Sequence, residues 1–130
     1  MIEFQIDLDL FRLMGKGHAG FAPAGSDVVC AGASALVTAL AGKLMDAGMI
    51  GACCLDPGAA VVEARPETEE ARSRAREWFE LVAYGLRLIA DAFPECVRVE
   101  FNQGRSELAC ELIGWEQDSS AWLKLKGQKG

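Results

Sequence analysis

The chain has one histidine, one tyrosine and four prolines among its 130 residues. Its five cysteines (Cys30, Cys53, Cys54, Cys96 and Cys110) form no Cys-x-x-Cys pair and have no cluster of histidines beside them. A four-ligand zinc site of the Cys/His kind is therefore excluded, and no metal and no cofactor is expected. An odd number of cysteines at irregular spacing also argues against a disulfide framework. In a reducing compartment these residues are thiols, most of them small apolar core residues. A dense basic patch is missing too. The net charge is -6 and the pI about 4.8, and the only basic cluster is Lys124, Lys126 and Lys129, so direct nucleic-acid binding is not expected. There is no run approaching the ~18 consecutive apolar residues of a membrane span, because Gly42, Lys43 and Asp46 interrupt the longest apolar region. The start of the chain lacks the basic and uninterrupted apolar segments of an export signal. A soluble, cytoplasmic protein with no membrane partner is the expectation.

What is present is an ordinary globular composition, 51% hydrophobic and 25% charged, in a length that suits one packed domain. Residues 2–8 alternate apolar and polar (Ile2, Phe4, Ile6, Leu8), which reads as a half-buried strand, and a second short strand is expected from Phe11 towards His18. Residues 19–26 combine Pro23 with Gly20 and Gly25 and read as a loop. From Asp27 to about Ala47 the spacing becomes helical, with Ser26 or Asp27 as N-cap and Gly48 as the stop. This helix is so apolar that burial over most of its circumference is expected, and its small residues invite close packing.

Ala52–Leu55 and Ala59–Ala64 then read as a hairpin about Asp56-Pro57-Gly58. An acidic first turn after Pro66 opens a long helix that Pro94 stops, with Trp78, Val82, Leu86, Ile89 and Phe93 as its expected core stripe. A last strand runs from Cys96 to Phe101. The order ββαββαβ implies an α+β fold, a two-layer sandwich of two long helices on a mixed five-strand sheet. Residues 1–104 form that domain. Residues 105–130, with Leu108, Leu112, Trp115, Trp122 and Leu125, are expected to be an appended element of unknown role.

Cys30 is the thiol whose setting suits chemistry. It falls in the first turn of the first helix, where backbone N–H groups and the helix dipole favour a thiolate. His18 is the one imidazole, twelve residues earlier, across a loop long enough to bring the two together. If Asp27 is the cap, the Cys30 N–H is unpaired within the helix and could serve an oxyanion; if Ser26 is the cap, that N–H is used. Asp27 and Ser34 lie one turn before and after Cys30, so either could orient His18. Each also has a plainer reading: Asp27 as a cap, and Ser34 bonded back to its own helix. His18 and Cys30 themselves are equally compatible with packing roles.

The segments Gly17-His18-Ala19-Gly20-Phe21, Gly25-Ser26-Asp27-Val28-Val29-Cys30-Ala31 and Ser34-Ala35-Leu36 resemble, in order and spacing, the ribosomal-processing cysteine protease (Prp) family. The resemblance extends through the order of elements to about Phe101. It implies a Cys-His dyad at Cys30 and His18, supported by Gly17, Asp27 and Ser34. It also implies a substrate lid between them that includes Ala19, Gly20, Phe21, Pro23 and Gly25. The implied activity is that of an endopeptidase removing the N-terminal extension of a large-subunit ribosomal protein, in a homodimer. Gly32 stands where the family more often has Ala, and residues 105–130 have no recognised counterpart there. Two other functions fit a reactive cysteine in such a domain: a catalytically idle ribosome-associated binding module, and a thiol-based redox or acyl-transfer protein.

Overall fold

The computed structural model describes residues 1–23 and 25–102; the expected appended element, residues 105–130, lies outside them. The elements follow the order ββαββαβ: β1 (Ile2–Asp7), β2 (Arg12–Lys16), α1 (Val28–Asp46), β3 (Ile50–Asp56), β4 (Ala59–Ala64), α2 (Glu69–Ala92) and β5 (Val97–Asn102). The five strands form one sheet in the order β3-β4-β2-β1-β5. All neighbours are antiparallel except β1 and β5, which run parallel because α2 carries the chain back across the sheet. This is the α+β two-layer fold with a mixed sheet.

The alternation in β1 directs Ile2, Phe4 and Ile6 to the helical side, where they meet Leu13, Val62 and Val97 from neighbouring strands. Ile6, Leu13, Leu44, Val62, Phe79 and Leu86 are fully enclosed. Phe11 turns the chain between β1 and β2 with a positive φ of 54°. Its ring meets Phe79 edge-on at 6.2 Å, so the second strand starts at Arg12 rather than at Phe11, and it ends at Lys16, short of His18.

Two expectations about the helices change. α1 buries a single stripe, Val29, Ala33, Val37, Leu40, Ala41 and Leu44, while Val28 is 66% and Met45 53% exposed. A two-layer domain offers a helix only the sheet and one neighbouring helix, so its third side stays outward. By length and composition α1 is apolar enough to cross a bilayer, but six of its residues belong to this core. Of its small residues Gly32 faces α2 as expected and Ala33 is in the core, while Ala31, Ser34 and Ala35 are exposed. Leu36 lies over Gly85 and Ile89 over Gly32, close enough that a methyl group on Gly85 would meet Leu36 Cδ1 at 2.9 Å.

In α2 the buried residues are Ala75, Phe79, Val82, Ala83 and Leu86. Val82 and Leu86 are as expected, but Trp78 and Ile89 sit at the flank beside α1 and Phe93 is 37% exposed. The stripe is rotated because Ala75 and Ala83 let the helix approach the sheet closely, a contact that a search for large residues overlooks. Thr68 caps α2 through Ala71 N–H, with Glu69 and Glu70 in the first turn.

The pairing of β2 with β4 positions the candidate site. Lys16 stands opposite Ala59, and one residue further Gly17 N–H donates to Gly58 O at 2.9 Å. The end of β2 is thereby fastened to the β3–β4 turn.

Candidate active site

Gly17 is the residue that turns the chain out of the sheet. Its φ of 102° is rarely open to residues with a side chain, and a Cβ there would run into the Met1 carbonyl. His18 follows, exposed to solvent. Its imidazole rests on Gly58, where an added Cβ would lie 2.9 Å from Nε2. Among the described residues no hydrogen bond holds the ring.

Cys30 is half-buried at the third residue of α1. Asp27 is the N-cap: its Oδ1 accepts from Cys30 N–H at 2.9 Å. Its Oδ2 accepts from Phe21 N–H at 3.0 Å and Ala22 N–H at 3.3 Å. The Asp27 carboxyl is held below the usual carboxylate range, chiefly by the bond from Cys30 N–H, with partial desolvation opposing and the Ala22 and Phe21 N–H groups assisting. This cap bears on two readings of the sequence. The Cys30 N–H is spent on Asp27 and is not a free oxyanion donor. Asp27 uses both its oxygens on backbone N–H groups instead of turning them to His18. Ser34 is exposed one turn beyond Cys30.

Residues 19–26 are better anchored than a Gly/Pro loop suggests. Ala19 is only 3% exposed and belongs to the hydrophobic core, which fastens the start of the loop. Phe21 meets Phe93 edge-on at 5.4 Å, and Ser26 bonds to Pro23 O through both its N–H and its hydroxyl. The Phe93 anchor and the burial of Ala19 are tertiary: the end of α2 is far from the loop in sequence.

Two cavities meet at Cys30 and Ser34. One, of about 570 Å³, is framed by His18, Gly20, Gly25 and Asp27. The other, of about 330 Å³, lies between α1 and the sheet and is lined by Phe4, Val37, Leu55, Pro57 and Gly58. His18 and Cys30 thus border one depression, with a mainly apolar recess adjoining the cysteine. The Asp56-Pro57-Gly58 turn, read from sequence only as a hairpin connection, forms part of this site. Strand order brings it there, and no local pattern reports strand order.

The other described cysteines differ in setting. Cys53 packs against the core, and burial pushes its thiol up. Cys54, on the opposite face of β3, donates to Asp56 Oδ2 at 3.4 Å. Cys96 is half-buried just before β5, and Cys110 lies outside the described residues. Among the described residues no group of three or more His, Cys, Asp or Glu side chains could hold a metal ion.

A family model described as cysteine protease Prp matches residues 1–98. Among solved structures, that of an essential ribosomal processing protease Prp from S. aureus with a covalently linked product peptide superposes with a TM-score of 0.66 at 20% identity, covering 78% of this chain and 100% of that one. The same S. aureus protease with a substrate peptide gives 0.61 at 19% identity, with the same coverage. The protein SMU.848 from Streptococcus mutans gives 0.61 at 23% identity, covering 78% of this chain and 92% of that one. These likenesses establish the shared fold. A search of curated proteins gives no significant match.

Proposed function

The chain belongs to the Prp family of cysteine proteases, and we propose that Cys30 and His18 are its dyad and that it trims the N-terminal extension of a large-subunit ribosomal protein. The observation that carries this reading is the depression bordered by both residues, in the one described cysteine that opens a helix. His18 takes the thiol proton, Cys30 Sγ attacks the scissile carbonyl, and the tetrahedral adduct collapses to a thioester as His18 protonates the leaving amine. Water then enters, His18 accepts its proton, and the thioester carbonyl is released as a carboxylate while the thiol is restored. Positioned carbonyl-oxygen donors other than the Cys30 N–H are required, since Asp27 holds that one.

The recess lined by Phe4, Val37 and Leu55 suits an apolar side chain of the extension. In this proposal the segment from Gly20 to Gly25 covers a bound peptide, Gly17 and Ser34 support the dyad, and the enzyme acts in the cytoplasm as a homodimer. Light scattering on the purified protein tests the dimer. For the reaction, wild type and Cys30→Ala are mixed with the full-length ribosomal protein of the same organism and the substrate mass is followed. The expected result is loss of the N-terminal extension with wild type alone, the variant being slower by roughly 10⁴-fold or more. Cleavage by both proteins, or by neither, would overturn the assignment.

A further inference from the structure

The imidazole of His18 has no hydrogen-bonded partner among the described residues, yet it sits against one particular backbone atom. A Cβ built on Gly58 would lie 2.9 Å from His18 Nε2, 3.4 Å from Cε1 and 3.6 Å from Cδ2. Gly58 therefore lies close to the Nε2 end of the ring, and a methyl group on it would force the ring to shift. The same glycine accepts the Gly17 N–H at 2.9 Å through its carbonyl. One residue thus holds the backbone just before His18 and supports the ring of His18 itself.

We propose that Gly58 is a positioning residue for His18, acting through this close approach to the Nε2 end of the ring, and that the Asp56-Pro57-Gly58 turn is part of the catalytic apparatus although it supplies no reacting group. The proposal rests on the reading of His18 and Cys30 as a dyad. The turn is suited to the task because it is tied down at both ends. Asp56 pairs with Ala59 across it, and Ala59 pairs with Lys16 at the end of the strand that leads into His18. A ring supported from a turn fastened in this way is kept at the depression it shares with Cys30. Geometry of this kind matters because misplacing a reacting group by about 1 Å can cost on the order of 10²-fold in rate.

Gly58 has a positive φ of 78°, so any side chain there also brings backbone strain. Gly48 provides the matched control. Its φ is 69°, and nothing lies within 4 Å of the Cβ it would carry. Gly58→Ala and Gly48→Ala therefore share the conformational cost, and only the first collides with the imidazole.

Because His18 is the one histidine, its ring gives a single set of imidazole signals in an NMR spectrum. In wild type these should show a nuclear Overhauser effect to the Gly58 α-protons, and its absence would overturn the proposal with no variant needed. Gly58→Ala should shift the His18 ring signals, while Gly48→Ala should leave them in place. If Gly58→Ala does not fold, Gly58→Asn takes its place, since Asn tolerates a positive φ better. Unchanged ring signals in the folded Gly58 variant would overturn the proposal.

The rate of Cys30 alkylation by iodoacetamide at pH 7 separates this question from that of the dyad. Gly58→Ala should slow it as far as His18→Ala does, by up to roughly tenfold, given the few per cent of thiolate in an unassisted cysteine. The double variant His18→Ala/Gly58→Ala should be no slower than either. A further loss in the double variant would show a general structural role and sink the positioning role. If His18→Ala leaves alkylation unchanged, the dyad reading fails, while the ring signals still decide whether Gly58 holds His18.

Discussion

Asp27 does two things with its two carboxylate oxygens. Oδ1 caps α1 through Cys30 N–H and Oδ2 fastens the loop through Phe21 and Ala22 N–H. Its folded pKa is lowered, so its contribution to stability is complete above the ordinary aspartate value of roughly 3.9 and is lost as pH falls through the lowered folded value. Asp27→Asn keeps one acceptor for the cap and sets an amide NH₂ against Phe21 and Ala22. The variant should be less stable than wild type at pH 6, and the gap should narrow in acid, where Asp27 itself is protonated. Urea midpoints of both proteins at the two pH values check this. Equal midpoints at pH 6 would mean that the loop bonds contribute nothing.

The cysteines divide in the same physical terms. Cys30 opens a helix and borders a cavity, whereas burial raises the Cys53 thiol. Brief, limiting iodoacetamide at pH 7.5 should label Cys30 first, with Cys53 reacting appreciably only at more alkaline pH. Mass spectrometry showing even labelling of Cys30, Cys53, Cys54 and Cys96 would contradict the thiolate argument.

Among the elements, α2 contributes Phe79, which is fully enclosed and meets Phe11 from the β1–β2 turn. Phe79→Ala should cost about 3–5 kcal/mol of unfolding free energy. Leu81→Ala, two residues further on, on the opposite side of the helix and 70% exposed, should cost far less. Paired denaturant titrations measure the contrast. The loop from Gly20 to Gly25 behaves as an element of its own, pinned by Ala19 in the core, by Asp27 and by the Phe21–Phe93 contact. As a cover for peptide it should exchange its amide protons more slowly when a substrate peptide is bound to Cys30→Ala. Equal protection with and without the peptide would remove the gating role.

For the whole molecule, the net charge of -6 complements the basic ribosomal-protein substrate of the proposed function. Long-range attraction raises the encounter rate and is screened by salt. Cleavage at low substrate concentration should therefore slow as NaCl rises from about 0.05 M to about 0.5 M, mainly through the second-order rate constant and little through the turnover of saturated enzyme. A salt-independent second-order rate constant would leave the charge without a role in capture.

The one-dimensional pattern was enough for whatever is local. Alternation in Ile2, Phe4 and Ile6 marked β1, Asp56-Pro57-Gly58 marked the hairpin turn, and Pro94 marked the end of α2. His18, the loop and the head of α1 carried the family motif by spacing alone, and the matched family model covers the same residues. These features follow from backbone preference, side-chain periodicity and contiguous residues, all of which act within a few positions of chain. What required the folded chain was everything set by partners distant in sequence. The choice between Ser26 and Asp27 as cap was settled by the bond from Cys30 N–H to Asp27 Oδ1, and that bond removed the Cys30 N–H from the oxyanion. The rotated stripe of α2 and the open outer side of α1 depended on which neighbours a two-layer domain provides. The contact of Gly58 with His18 depended on β4 pairing with β2. Strand order is decided by the burial free energy of the whole sheet against both helices, a sum over the entire core that no short stretch of sequence contains.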